Sequence, residues 1–135
     1  MRAPLLPGWV RWAVVVCVAG FIFYTSILTA PPDTVLDAGR PDLVPLDKWR
    51  HFLAYATFGG ALAYATADWT VERRYAAAFV LGTTIAYGVG IEVGQLLLAD
   101  RDFSVMDAYA NALGAVLISP WYLVRPYVAF EPLVD

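Results

Sequence analysis

Nine polar residues break an otherwise apolar sequence and set the chemistry open to this chain: Asp47, Lys48, His51, Glu92, Gln95, Arg101, Ser104, Asp107 and Asn111. Together they offer carboxylates, cations, amides and the single imidazole of the chain. Glu92 and His51 are candidates for a general acid or base. Lys48, Arg101 and His51 suit an anion, while Glu92, Asp107 and Asn111 orient those cations and bond hydroxyl groups. Asp47, His51, Glu92 and Asp107 offer three oxygen ligands and one nitrogen, but no spacing here carries the weight of an H-E-x-x-H helix, so neither a metal nor another cofactor is expected. Nucleophilic catalysis has little support. Ser104 sits on no glycine-flanked elbow, and Cys17 belongs to a different apolar segment.

Each residue also has a plainer role. Asp47 suits a helix N-cap, and Ser104-x-x-Asp107 has the form of a capping box. Lys48, Arg50 and Arg101 suit side chains that snorkel towards headgroups. His51 can serve as an interhelical hydrogen bonder, and Glu92 can close a salt bridge with Arg101 or Lys48. Glu92 is the hardest to read this way, because an ionisable group inside a membrane-length apolar run is expensive and faces a partner or a wet cavity.

The elements that position these residues follow from composition. The chain has 135 residues, 60% of them hydrophobic, and a mean hydropathy of +0.60, which fits one membrane domain over residues 1–135. Its net charge is −3 with no basic stripe, which argues against nucleic acid. Crossing a bilayer takes about 20 helical residues or about 10 alternating ones as a strand. The apolar runs are continuous and rich in Ala, Leu and Gly, so helices are expected at about 10–29, 47–67, 75–98 and 104–119. The fold class is therefore all-α, a four-helix transmembrane bundle.

The uncharged run from Trp12 to Pro32 is longer than a signal-peptide core and reads as a retained anchor. Trp9 and Trp12 at one end of the bundle, and Trp121 and Tyr122 after Pro120, mark membrane interfaces. The charged turn Asp68–Arg74 makes helices two and three antiparallel neighbours. Helix three carries two rows: a small ridge of Gly82, Ala86, Gly90 and Gly94, expected to pack closely against another helix, and a row of Thr84, Gly88, Glu92 and Gln95 nearly opposite. Packing on both sides would put helix three in the middle of the bundle. At about 1.5 Å per residue, His51, Glu92 and Asn111 lie on the order of 6–10 Å inside their helix ends. Three helices thus bring polar groups to matching depth, and convergence leaves none of them unsatisfied in hydrocarbon. Arg2, Arg11, Arg73, Arg74 and Arg125 outnumber Arg40, Lys48, Arg50 and Arg101 on the other face, which puts both termini in the cytoplasm.

At these residues the chain resembles the VanZ-like family of small integral membrane proteins, over about residues 46–117. The resemblance rests on DKWRHFLAYATFG (47–59) and YGVGIEVGQLLLADRDFSVMDAYANALGA (87–115). Asp47, Lys48, His51, Glu92, Gln95, Arg101, Asp107, Asn111 and Gly114 stand where the family pattern has its D-K-x-x-H, E-x-x-Q, R-x-F-S-x-x-D and N-x-x-G residues. Ala99-Asp100 replaces the Pro-Gly that often precedes the family's arginine. The resemblance implies a multi-pass protein of the cell envelope. The family is named for a determinant of low-level teicoplanin resistance, a role that presupposes peptidoglycan.

The expectation is an integral membrane protein whose conjoined polar cluster, formed by Asp47, Lys48, His51, Glu92, Gln95, Arg101, Asp107 and Asn111, binds an anionic envelope lipid or lipid-linked glycan. Its partners are then membrane lipids and no nucleic acid. The alternative is a small intramembrane enzyme acting on a lipid-linked phosphate or glycan, with Glu92 or His51 catalytic.

Overall fold

The computed structural model describes residues 1–29, 46–98 and 105–133, apart from the side chains of Leu46 and Asp47. Most of it is helix. Strand β1 (Arg2–Leu5) leads into α1 (Gly8–Phe23), which widens into a π-helical turn at Tyr24–Leu28. Helices α2 (Leu46–Ala65), α3 (Arg73–Gln95) and α4 (Val105–Val116) follow. The chain closes with a short helix α5 (Trp121–Val124), a 3₁₀ turn at Arg125–Tyr127 and strand β2 (Ala129–Pro132). Each of the four expected helices is present, starting and ending within a few residues of its expected bounds.

Two segments are long and apolar enough to cross a membrane, Gly8–Leu28 with 21 residues and Arg73–Gln95 with 23. Helix α4 has 12 residues, about 18 Å of rise, and is too short to cross alone. A turn over Leu117–Pro120 separates it from α5, because the proline ring cannot continue the hydrogen-bond ladder.

Helix α2, not α3, is central: it packs against α1, α3 and α4. Its seam with α4 is the closest for a glycine among the described residues. A Cβ on Gly114 would stand 2.4 Å from the Phe52 carbonyl oxygen and 3.0 Å from the Ala56 nitrogen. On α3, only one of the two expected rows packs. Thr84, Gly88, Glu92 and Gln95 are buried, and a Cβ on Gly88 would meet Tyr55 at 3.1 Å and Asn111 at 3.2 Å. The small ridge lies open instead. Nothing stands within 4 Å of a Cβ on Gly82 or Gly90, and Ala86 is exposed; Gly94 alone meets a side chain, Ile27 at 3.2 Å. The polar row takes the interior because burying it against other polar groups satisfies it, whereas an open glycine row leaves no polar side chain unpaired.

The core between α1, α2 and α3 holds Ile22, Tyr55, Phe58, Leu62, Val80 and Ile91. The rings of Phe58 and Tyr87 lie 4.9 Å apart, and Tyr87 donates to the Ala19 carbonyl at 2.6 Å.

One end of the bundle gathers both chain ends and the α2–α3 turn. Strands β1 and β2 pair in parallel, Arg2 opposite Ala129 and Leu5 opposite Pro132. The Tyr64 hydroxyl accepts from the Leu6 amide and donates to the Pro4 carbonyl, both at 3.0 Å. Arg11, 4% exposed, donates to the Ala65 carbonyl at 2.8 Å and grips Asp68 with both terminal nitrogens, at 3.0 and 2.5 Å. It thereby caps the carbonyl end of α2, where a positive charge also meets the negative pole of the helix.

Candidate functional site

At the opposite end, α2, α3 and α4 bring five of the polar residues together. Lys48 and His51 come from the first turns of α2, Glu92 from the last turn of α3, and Asp107 and Asn111 from consecutive turns of α4. The spacing of four between Asp107 and Asn111 puts both on one face, and that face is buried.

The contacts form a chain. Lys48 Nζ bonds Asp107 Oδ1. His51 Nδ1 lies 3.0 Å from Asn111 Oδ1, and the Asn111 amide nitrogen donates to Glu92 Oε1 at 3.4 Å. With an amide oxygen as its partner, Nδ1 is the nitrogen that carries hydrogen, a tautomer inferred from the network. The other ring nitrogen, Nε2, then faces Asp107 Oδ1 at 3.9 Å. Nδ1 itself stands 3.9 Å from Glu92 Oε1. The imidazole therefore sits between two carboxylates, one toward each nitrogen. Glu92 is 0% exposed, His51 and Lys48 are partly exposed, and Asp107 and Asn111 are buried. The niche runs from a semi-open rim at Lys48 to a closed floor at Glu92.

Its backbone frame explains the fit. Gly88 and Gly114 let α3 and α4 approach α2 where larger residues would hold them apart. Tyr55, 1% exposed, fills the space beneath.

Gln95 does not join this group. Its amide nitrogen donates to the Ser26 carbonyl of the π-helical turn at 3.2 Å, so it ties α3 to α1. The α1 anchor is thereby part of the frame, not a bystander. The side chain of Asp47, and all of Arg101 and Ser104, lie outside the described residues. Donor atoms of His51, Glu92 and Asp107 fall within 4.8 Å of one another, a group that could hold a metal ion; Asp107 also bonds the Lys48 ammonium.

Two arrangements escaped the sequence. Arg11 reads there as one more interfacial cation, because its partner lies 57 positions away. The pairing of β1 with β2 joins two four-residue segments, each containing proline, with no alternating pattern to announce them.

A mostly helical chain with two membrane-length apolar helices and a buried polar niche defines a class. The particular family follows from comparison: the family model described as VanZ/LLP1 matches residues 11–125. The chain belongs to the VanZ/LLP1 family. Neither the curated proteins nor the solved structures contain a match.

Proposed function

We propose that this chain is a multi-pass membrane protein of the cell envelope whose niche binds the headgroup of a lipid or lipid-linked glycan. The membrane reading draws support from the outer surface. Val16 and Phe21 of α1, Val89 and Val93 of α3, and Leu113 and Val116 of α4 are each about half to two-thirds exposed. Large apolar side chains left open on three helices suit contact with hydrocarbon.

The observation that carries the ligand reading is the facing pair of His51 Nε2 and Asp107 Oδ1 at 3.9 Å, at the partly exposed edge of the niche. A hydroxyl at that edge has an imidazole nitrogen and a carboxylate oxygen within reach, alongside the partners those groups already have. Charge narrows the ligand. By formal charge Lys48 counts +1 and Glu92 and Asp107 −1 each, so the described set carries no surplus of positive charge. Hydroxyl recognition by carboxylate, imidazole and amide therefore dominates, and Lys48 serves a phosphate at the rim. Arg101 is proposed as its companion there.

The test is lipid retention. Wild-type protein extracted in mild detergent is expected to retain a lipid or glycolipid that mass spectrometry identifies. Lys48→Met combined with Arg101→Gln is expected to lower its retention about tenfold or more, the scale of one or two charge-assisted bonds. Unchanged retention in the double variant would end this reading.

A second reading has its own support. An imidazole between two carboxylates is an arrangement suited to general acid–base work. Under this reading, purified protein turns over a lipid-linked phosphate or glycan, and Glu92→Gln binds but does not turn over. A wild-type protein that leaves an envelope lipid extract unaltered argues against it.

A further inference from the structure

The other end of the molecule holds a second charged feature, unconnected with the niche. Its described acids each have a cation: Asp68 with Arg11 at 2.5 Å, Glu72 with Arg74 at 2.9 Å, and Glu131 with Arg2 at 3.0 Å. Arg73 and Arg125 are left over. Among the described residues neither meets a carboxylate. Arg73 donates to the Tyr122 carbonyl at 3.4 Å. Arg125 donates to the carbonyls of Ala67 and Val128 and lies 4.6 Å over the Phe130 ring.

Both guanidinium groups line one cleft of about 190 Å³, with Trp69, Val71, Trp121 and Tyr122 among its other walls. Arg73 is also the first residue of α3, and Glu72 before it forms no side-chain cap, so the positive pole of that helix opens towards the same region. The volume is below the roughly 300–1,000 Å³ of pockets that enclose a whole small molecule. It suits a headgroup whose chains remain outside.

We propose that the cleft between the α2–α3 turn and α5 is a site for the phosphate of an anionic phospholipid, held by Arg73 and Arg125. Two cations bonded only to neutral carbonyls keep donors for an anion, and the planar guanidinium matches phosphate oxygens in pairs. Trp69 and Trp121 give the cleft the amphipathic walls found at the headgroup level of membranes. A net-anionic lipid is favoured over a zwitterionic one because no acid in the cleft answers a choline or ethanolamine ammonium. The inference rests on the membrane reading above but not on the niche.

The experiment uses the full chain in nanodiscs of phosphatidylcholine, into which phosphatidylglycerol is titrated while thermal unfolding is followed. Phosphatidylglycerol is expected to raise the unfolding temperature of wild type, and Lys48→Met is titrated beside it to separate the niche from the cleft. Arg73→Gln with Arg125→Gln is expected to need about tenfold more phosphatidylglycerol for the same rise, the scale of one lost charge-assisted pair. Arg73→Gln alone guards against misfolding, since Arg73 is exposed and gives up only one long bond; it should show a smaller shift in the same direction. An unaltered response in the arginine variants overturns the proposal. So does a rise produced equally by inorganic phosphate, which would assign the cleft to a free anion. A response lost in Lys48→Met and kept in the arginine variants moves the lipid to the niche and overturns it too. Failure of wild type to enter nanodiscs would remove the membrane reading itself.

Discussion

At the scale of residues, Arg11 and Asp68 show how one pair fixes an end of the bundle. The hydrogen bond from Arg11 holds the Asp68 carboxyl below its ordinary value of 3.8, against a smaller opposing effect of burial. A depressed folded value means that the pair contributes stability above the unfolded pKa and loses it as pH falls through the folded one. The gap in unfolding temperature between wild type and Asp68→Asn is therefore expected at pH 7 and should close as pH falls below about 4. Its size is limited because Asp68 is about half exposed and screened by solvent. Arg11→Met is the harsher change, since it also strips a donor from the last carbonyls of α2; a loss on the order of 2 kcal/mol is expected in chemical unfolding. Loss of less than a few tenths would show that the cap is dispensable.

The same scale shows what sequence reveals and what it hides. Glu92, His51 and Asn111 are legible as a group, because each is costly alone in apolar surroundings and only mutual contact removes that cost. Gln95 obeys the same rule but finds a backbone carbonyl on α1 instead, and carbonyls are everywhere along a chain. Arg11 is hidden for a related reason: a cation beside an apolar run looks alike whether it reaches out to headgroups or in to a distant acid.

At the scale of elements, the glycines of α3 and α4 separate by what faces them. Spacing alone makes the Gly82–Gly94 row and the Gly88 row equally plausible seams, and only the neighbours decide. Gly114→Ala places a carbon against the Phe52 carbonyl and forces α4 off α2; a loss of about 1–3 kcal/mol is expected. Gly82→Ala meets nothing within 4 Å and should be neutral or raise stability by up to about 1 kcal/mol through helix propensity. Thermal unfolding of the two variants side by side checks the assignment. Equal effects would mean that α3 packs through its small ridge after all.

At the scale of the whole molecule, the β1–β2 pair and the Tyr64 bonds hold both chain ends beside the α2–α3 turn. A protein spanning the bilayer with this fold must therefore present Met1, the turn and Leu133 on one side, and the excess of arginine there predicts that this side is the cytoplasmic one. Single cysteines introduced near each of these three places, in a Cys17→Ser background, are expected to react together with a membrane-impermeant thiol reagent only once the inner face is opened. Labelling of one without the others would contradict the fold. The order of helices and their alternation follow from apolar length. The strand pair does not, because its register depends on two ends that meet only after the bundle has formed.

The Gly114 seam has a dynamic corollary. With backbone against backbone there, α2 and α4 are expected to move as a single plate, since parting them would forfeit their packing. Helix α3 meets α1 and its π-helical turn through one tyrosine hydroxyl on the Ala19 carbonyl and one glutamine on the Ser26 carbonyl, bonds that can be exchanged singly. Any opening of the closed floor at Glu92 is therefore expected on the α3 side, where single side-chain bonds such as that of Gln95 to the Ser26 carbonyl hold the frame, and not across the Gly114 seam.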